Sequence, residues 1–498
     1  MGQISARTKI IWSLFLFTGL TVALFLTRSN YVSPAQLTLA IAIFVVGLLP
    51  IAWHLRFGGS SFYPLFPVLG LYYSISFGLP FLIIDFIWPT GFREISYFGP
   101  TNFPIKQGLA SLESMWLVLA GMLTCFISFA AAQKPANKLI GEFQFPTAAT
   151  PRVTRLLAYG LLLGFAANEF IPFLRKAPSL SQLFGRIEFV VFAVFFVAYQ
   201  QRLIGKADAG MVFFGILPLL ILYRTISGLY SPILMLCLLV CFLSWPKYKK
   251  QAATVAVISA IFLFLFYVPA QQYRAQTSLT EYISSSSKSN STSIRNSLFF
   301  LKLSLSVWQG EETVTFEDQI YKLGPTHSLE TIGRRIFIMP LFDHVHSLTP
   351  NTVPYWRGET YKPLLTKFIP RALWSDKPEE RFGGEFALRF GLISVNDTTS
   401  INIPWIVELL ANFGPTGVLG GMVIIGIFFA LIDSFFNNRS TPPFERAIGL
   451  SIVFRLAYPE SNFSLMCGDL LVLTIFVYVY FSLGFHWIPK LLKSINLQ

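Results

Sequence analysis

The stretch T-G-V-L-G-G-M-V-I-I-G-I-F-F-A-L-I, from Thr416 to Ile432, contains no charged residue. It is long enough to cross the hydrocarbon core of a bilayer as a helix, and it predicts a transmembrane segment near 416–434. The rest of the chain has the same character, because hydrophobic residues make up 54% of its 498 residues and charged residues only 13%. We therefore expect an all-α, polytopic membrane protein.

Apolar runs of similar length occur along most of the chain and bring the expected number of transmembrane helices to about twelve. About nine of them lie within residues 1–269 and about three within 416–498. Residues 270–415 have a mixed composition and are expected to form a large late extracytoplasmic loop with short helices. The runs lie near 10–27, 35–54, 62–86, 109–131, 154–173, 183–200, 210–226, 229–245, 252–269, 416–434, 445–458 and 468–487.

Basic residues in the loops predict the orientation of these helices. If the N-terminus is cytoplasmic and the helices alternate, the basic loops fall on the cytoplasmic side, as the positive-inside rule requires. Both termini are then cytoplasmic, the 270–415 loop lies outside, and the net charge of +13 needs no nucleic-acid partner. The basic residues placed inside are His54, Arg56, Lys134, Lys138, Arg152, Arg155, Arg202, Lys206, Lys247, Lys249, Lys250, Arg439, Arg446, Lys490 and Lys493.

Neither a metal site nor a cofactor is expected. The four cysteines all lie in apolar spans, which argues against a disulfide framework and against a metal site. The sequence contains no Gly-rich phosphate loop of the P-loop type. These cysteines are Cys125, Cys237, Cys241 and Cys467.

Two kinds of sequence make up the 270–415 loop. Residues 277–296 include a serine-rich tract, which cannot bury enough apolar surface to offset its ordering entropy and is expected to be mobile. Residues 334–348 and 361–390 mix apolar, aromatic and charged residues at helical spacing. They predict short, partly membrane-embedded helices over the outer mouth.

Ionisable residues at or near membrane depth are functional candidates, because a charge inside a bilayer is costly. The alternative for each is an interfacial position from which the side chain reaches water, and we prefer it for Asp85, Glu113 and Asp469. Arg224 is kept as a binding candidate because it ends a helix on the expected outer side. The full set is Asp85, Glu113, Glu169, Arg224, Glu408, Arg455 and Asp469.

Three short elements in the second half of the loop carry a resemblance to a known family. They are G-E-T-Y at 358–361, P-R-A-L-W-S-D-K-P at 370–378 and E-L-L-A-N-F-G-P-T-G at 408–417. Their order resembles that of bacterial oligosaccharide repeat-unit polymerases, the Wzy-like or O-antigen polymerase family, over roughly residues 330–425. Before the loop only the many-helix layout agrees. The resemblance implies a GT-C-like polymerase/ligase architecture.

The resemblance also implies a reaction and a location. The chain is expected to transfer a growing glycan from its undecaprenyl pyrophosphate carrier to a new lipid-linked repeat unit. The product would be O-antigen, capsule or exopolysaccharide, made at the bacterial cytoplasmic (inner) membrane. The expected partners are the lipid-linked oligosaccharide, membrane lipids and a chain-length regulator protein.

This chemistry needs fixed cations for the departing pyrophosphate, and arginine suits phosphate oxygens through its bidentate, permanently charged fork. The alternative for each cation is a structural ion pair. The attacking hydroxyl needs a base, for which we select His344, Glu385 and Glu408. His346 is also available, but it cannot share a helix face with His344. The substrate-binding candidates are Arg224, Arg274, Arg334, Arg335, Tyr361, Arg371, Lys377 and Arg389.

Two other functions fit part of the sequence. An O-antigen ligase would use the same donor but would attach the glycan to lipid A-core or to protein. A multi-helix transporter or lipid flippase would need no catalytic loop, and such proteins typically show repeated halves. Because this chain concentrates its charge in one late loop, the polymerase is preferred. The sugars, the linkage and the stereochemical outcome stay open.

Overall fold

The computed structural model describes residues 32–57, 61–84, 109–171, 187–226, 230–283, 293–311, 313–316, 319–322, 332–333, 335–367, 369, 374, 377, 381–393 and 400–494. The architecture is helical, apart from one short antiparallel hairpin within these residues. The chain forms two compact units, one from Met1–Val191 with Ile336–Gln498 and the other from Phe192–Arg335.

Helices occupy most of the described chain. They are α1 Pro34–Phe57, α2 Leu65–Leu82, α3 Leu112–Leu139, α4 Pro151–Phe170, α5 Glu188–Gln200, α6 Lys206–Arg224, α7 Tyr230–Ser244, α8 Lys249–Ile283, α9 Ser293–Gln309, α10 Met339–Leu348, α11 Phe382–Arg389, α12 Trp405–Phe436, α13 Pro443–Val453, α14 Phe463–Cys467 and α15 Leu470–Ser494. Helices α2 and α6 contain π-helical turns at Ser74–Gly78 and Met211–Ile216, and a 3-10 helix covers Glu359–Leu365. The hairpin pairs β1 Thr313–Phe316 with β2 Gln319–Lys322.

Within the described part of the chain, seven helical segments are long and apolar enough to cross a membrane, so the protein is a polytopic membrane protein. They are α1, α2, α3, α6, α8, α12 and the α14–α15 segment. Helices α4, α5, α7 and α13 coincide with other predicted runs, but each is either too short or not apolar enough to be included among these seven. The run predicted near 10–27 lies outside the described residues. The total of about twelve crossings therefore stays a prediction.

In the first unit, α1 and α2 pack closely through glycines. A Cβ atom at Gly47 would lie 2.6 Å from the Gly70 carbonyl oxygen, and one at Gly78 would lie 2.8 Å from the Phe44 amide nitrogen. Later residues of α1 thus face earlier residues of α2, so the two helices run antiparallel. Small residues allow this close approach between membrane helices.

Helices α3 and α12 form the centre of the same unit. A Cβ atom at Gly121 would lie 3.1 Å from the Val418 side chain, and one at Gly426 would overlap the Cys125 carbonyl oxygen. Later residues of α3 face later residues of α12, so these helices run parallel. The directions of all four helices agree with the predicted alternation, while the side of the membrane on which each end lies stays a prediction.

Buried polar side chains join three parts of the unit near the end of α12. Asp433 accepts hydrogen bonds from the Ser61 hydroxyl and from Asn437, with 2.6 Å between Asn437 Nδ2 and Asp433 Oδ1. Gln133, on α3, donates from Nε2 to Ser61 Oγ at 2.9 Å. Asn437 also donates to the Tyr63 carbonyl oxygen at 2.7 Å. We call Ser61, Gln133, Asp433 and Asn437 the Asp433 cluster.

In the second unit, α8 packs against α9. The rings of Phe266 and Tyr273 contact Phe300, with centroids 6.2 and 5.7 Å apart. The Trp308 indole donates from Nε1 to the Leu265 carbonyl oxygen at 2.8 Å. Aromatic contacts and the Trp308 hydrogen bond therefore contribute to the packing of this helix pair.

The serine-rich tract predicted over 277–296 overlaps these two helices. Helix α8 continues to Ile283, and α9 begins at Ser293. Residues 284–292 lie outside the described residues, so the predicted mobility of the tract is untested there.

The helix predicted near 416–434 begins earlier in the structure. Helix α12 starts at Trp405, so the boundary predicted at 415/416 falls inside it and Glu408 belongs to the helix rather than to the end of the loop. The reason is local: Gly414 and Pro415 resemble the start of a helix in the sequence but form a kink within one. Gly414 has φ 69° and ψ −161°, outside the helical region.

Candidate functional site

Two of the three sequence elements meet at Asn412, on the first half of α12. The Gly358 N–H donates to Asn412 Oδ1 at 2.9 Å, and Asn412 Nδ2 donates to Thr360 Oγ1 at 2.9 Å. The same Nδ2 donates to the Glu408 carbonyl oxygen at 2.8 Å. One buried amide therefore ties the 358–361 turn to the helix that carries Glu408.

Two glycines in left-handed conformations allow this junction. Gly358 has φ 86° and Gly414 has φ 69°, a region in which a Cβ atom is unfavourable. At Gly414 there is also no room, because a Cβ atom would lie 2.6 Å from the Tyr355 hydroxyl oxygen. The glycines of both elements thus have a structural reason for their positions.

Glu408 is the buried carboxylate of the site. Its side chain is 0% exposed, and the Phe463 N–H donates to Oε2 at 2.6 Å. Burial raises the pKa of the nearby Tyr361 phenol well above its ordinary value, and the Glu408 charge adds to the effect. Tyr361 therefore keeps its proton at neutral pH and can donate a hydrogen bond.

An apolar cavity of about 330 Å³ adjoins Tyr361. Its long wall is one face of α12, because the lining positions of that helix are three or four residues apart. The Trp405 indole N–H, in a side chain that is 0% exposed, has no hydrogen-bond partner among the residues that the structure describes. The lining consists of Gly358, Tyr361, Trp405, Leu409, Phe413, Gly417, Gly421, Ile424, Ile425 and Phe463.

The two histidines on α10 have different surroundings. His344 is buried, and its Nε2 lies 2.8 Å from the Phe390 carbonyl oxygen, to which it donates. Burial lowers the pKa of His344, opposed in part by that hydrogen bond. His346 is half-buried, and its Nδ1 lies 2.7 Å from Ser114 Oγ. The structure thus gives His344 a backbone partner and leaves His346 the more accessible of the two.

The other predicted residues of the first unit lie on its surface or against its backbone. Glu385 is exposed on α11. Arg389 donates from Nη2 to the Pro354 carbonyl oxygen at 2.7 Å, and its guanidinium lies 5.4 Å from the centre of the Trp356 ring. Lys377 donates from Nζ to the Ile369 carbonyl oxygen at 3.0 Å. Of the predicted set, Tyr361 and Glu408 come together.

The remaining predicted cations cannot be placed at this site. Arg224 is half-buried near the end of α6, and Arg335 is exposed, both in the second unit. Arg274 lies in α8, with its side chain outside the described residues. Arg334 and Arg371 lie outside them altogether, so their predicted roles stay predictions.

Sequence reasoning missed Asn412, Trp405 and Phe463 as parts of the site. Asn412 offered a signal, since an amide four residues after a glutamate in an apolar helix must find partners. Trp405 and Phe463 offered none. Their positions beside Glu408 and the cavity depend on contacts between distant parts of the chain.

The described residues include no group of three or more His, Cys, Asp or Glu side chains that could hold a metal ion. The donors at Glu408 and along the cavity include a backbone amide, a phenol and an indole. Such groups bind polar atoms of an organic substrate through hydrogen bonds, while the cavity offers an apolar surface.

A family model matches residues 144–438, which include Asn412, Glu408 and the whole 358–361 turn. The chain belongs to this family. Its description is a domain of unknown function, DUF8712. No curated protein and no solved structure matches the chain. The family match therefore groups the site with related chains and assigns it no activity.

Proposed function

We propose that this protein is a membrane glycosyltransferase that polymerises oligosaccharide repeat units carried on undecaprenyl pyrophosphate. The observation that carries the proposal is the meeting of the 358–361 and 408–417 elements at Asn412, where Gly358 and Tyr361 line an apolar cavity. These elements resemble those of repeat-unit polymerases. Their residues are far apart in sequence and are bonded to each other in the structure.

The cavity supports a lipid-linked substrate. Its lining on α12 extends from Trp405 to Ile425, and twenty helical steps of 1.5 Å correspond to about 30 Å along the helix. This wall belongs to a membrane-spanning helix, where a prenyl chain can approach from the bilayer. Tyr361 lines the cavity, and Glu408 lies on α12 between the lining residues Trp405 and Leu409. In this proposal the lipid lies along α12 and the glycan lies at the polar end.

The reaction places specific demands on the polar end. A hydroxyl of the acceptor sugar attacks the anomeric carbon of the donor, the bond from that carbon to the pyrophosphate oxygen breaks, and undecaprenyl pyrophosphate leaves. The hydroxyl proton must go to a base, and we assign this role to His346, the more accessible histidine of α10. Glu408 would stabilise positive charge that develops on the sugar, and the Tyr361 hydroxyl would donate to a sugar or phosphate oxygen.

The proposal can be tested by replacing Glu408 with glutamine in a strain that lacks the native protein. We expect Glu408→Gln to abolish polymer and to accumulate single lipid-linked repeat units, with normal abundance of the protein in the membrane. Glu359→Gln is the matched control, since Glu359 lies in the 358–361 element with 49% of its side chain exposed.

Three outcomes would contradict the proposal. Polymer could persist in the strain without the protein, or Glu408→Gln could make polymer at the wild-type level. Alternatively, full-length chains could accumulate on undecaprenyl pyrophosphate and be missing from lipid A-core, which would indicate the ligase instead. Gel analysis of the lipid-linked and surface-attached glycans separates these results.

A further inference from the structure

Four polar side chains link the start of α3 to α10. Ser111 Oγ lies 2.5 Å from Asp343 Oδ1 and 3.0 Å from Ser114 Oγ. Ser114 Oγ in turn lies 2.7 Å from His346 Nδ1. Asp343, Ser111, Ser114 and His346 therefore form an unbranched series from a carboxylate to an imidazole, through two hydroxyl groups. We call these four side chains the relay.

Counting protons gives this series a direction. Each serine has one hydroxyl proton, and that of Ser111 goes to the Asp343 carboxylate, which is the closest and strongest acceptor. The contact between the two serine oxygens then needs the proton of Ser114. The contact of Ser114 with His346 can only be filled by a proton on Nδ1. The opposite assignment would leave two oxygen lone pairs facing each other at 3.0 Å.

We infer that Asp343 acts through Ser111 and Ser114 to hold His346 with its proton on Nδ1, so that Nε2 is the proton acceptor. The inference rests on the proposed function only for the role of His346 as the base. Asp343, Ser111 and Ser114 are positioning residues, because none of them needs to touch the substrate. A histidine fixed through one ring nitrogen presents the other to its reaction partner.

The surroundings of His346 agree with this role. Ser114 is fully buried, so its hydroxyl bonds only within the protein, whereas His346 is half-buried. Among the described residues, no hydrogen-bond partner faces His346 Nε2. Because α3 and α12 run parallel, with Gly121 beside Val418, Ser114 lies at about the level of Asn412 along the two helix axes. The relay therefore lies at the same end of the unit as Glu408.

The proton transfer balances within the proposed reaction. Nε2 takes the proton of the acceptor hydroxyl as the new glycosidic bond forms and the bond to pyrophosphate breaks. The ring then carries a positive charge, and the Asp343 carboxylate stabilises it through the two hydroxyl groups. Transfer of the proton to water or to the departing pyrophosphate returns the ring to its starting form.

The decisive variant is Ser111→Gly, because Ser111 has a second role that must be separated from the relay. Its Oγ accepts the Ser114 N–H at 3.2 Å and so caps α3. Glycine at this position preserves the helix start, because glycine is well tolerated as an N-cap residue, and it removes the hydroxyl. Ser114 is then free to donate to Nδ1, and the imidazole proton should move to Nε2.

The tautomer can be measured by ¹⁵N NMR on protein labelled at its five histidines, with His346→Gln used to assign the signal. We expect Nδ1–H in the wild type, Nε2–H in Ser111→Gly and recovery of Nδ1–H in Ser111→Thr. An Nε2–H wild type, or an unchanged tautomer in Ser111→Gly, would overturn the relay. This measurement needs no substrate, so it does not depend on the proposed function.

Polymer formation gives the second readout. Ser111→Gly should lose roughly tenfold or more in polymer, since the wrong tautomer removes the base. Ser33→Gly is the control, because Ser33 bonds Gln36 at the start of α1 and has no part in the relay. A shifted tautomer with unchanged polymer would remove His346 as the base, while loss of polymer only in the Ser111 variant supports it.

Discussion

Helix α12 carries a buried carboxylate near each end, and the two have different surroundings. Glu408 is 0% exposed and Asp433 is 2% exposed, so burial does not distinguish them. Asp433 is bonded to side chains of the Asp433 cluster, beside a cavity of only about 10 Å³. Glu408 accepts a backbone N–H next to Tyr361, which lines a cavity of about 330 Å³. The volume of the adjacent cavity thus distinguishes Asp433, a structural carboxylate, from Glu408, a candidate for function.

The largest expected effect comes from replacing each carboxylate, in separate variants, with an apolar residue of similar size. Asp433→Leu removes the acceptor of the Ser61 hydroxyl and one of the two acceptors of the Asn437 amide, so it should lower the free energy of unfolding by about 2–5 kcal/mol. Glu408→Met removes the acceptor of the Phe463 N–H, and it should retain normal membrane abundance but make no polymer. Membrane abundance and thermal aggregation of detergent-extracted protein would measure the difference. Equal loss of stability in both variants would contradict the comparison.

Filling the large cavity should produce the next largest effect. Ile424 lines the cavity and is 66% exposed, so Ile424→Trp places an indole in the space assigned to the prenyl chain without disrupting the core. We expect polymer length and amount to fall several-fold. Ile427→Trp is the matched control, since Ile427 lies on the same helix, is 40% exposed and does not line the cavity. Similar activity of the two tryptophan variants would exclude a lipid from this cavity.

A smaller loss is expected from Tyr361→Phe. The ring still packs beside Phe413, where the centroids are 6.0 Å apart, so stability should hardly change. Loss of one hydrogen bond to substrate should cost about 1 kcal/mol, or roughly fivefold in activity. Because burial raises the pKa of Tyr361, its hydroxyl stays protonated as pH rises from neutral to mildly alkaline. The activity ratio of wild type to variant should therefore be constant over that range, and a ratio that falls with pH would show that the phenol ionises.

The smallest effect is expected at an exposed pair beside the site. Lys362 Nζ lies 3.6 Å from Glu359 Oε1, with 73% and 49% of these side chains exposed. Lys362→Ala should change the free energy of unfolding by less than about 0.5 kcal/mol, because water and salt screen the pair. Polymer should form at the wild-type level. A marked loss of polymer would instead place Lys362 among the substrate-binding residues.

The sequence was sufficient for features that depend on local composition. Apolar runs predicted membrane helices because a bilayer-spanning segment must be apolar throughout. It was insufficient at the start of α12, where Glu408 and Asn412 interrupt the apolar run and the helix continues because those polar groups find partners. A run that starts after Gly414 is thus only the second half of the helix.

The site required information on contacts between distant residues. Ser61 and Asp433 are separated by 372 positions, so nothing near Asp433 in the sequence announces its structural role. Likewise, His344 and His346 share one short helix, and only the partners Phe390 and Ser114 distinguish them. The sequence could name both histidines, but the choice between them depends on tertiary packing.

Asn412 also imposes an order on the biogenesis of the protein. It lies 54 positions after Gly358, so the ribosome delivers the 358–361 turn before the amide that closes it has been made. Until then the Gly358 N–H and the Thr360 hydroxyl lack the partner that they have in the complete chain. Formation of the first half of α12 closes the turn, so this part of the site is completed before the second half of the helix has formed.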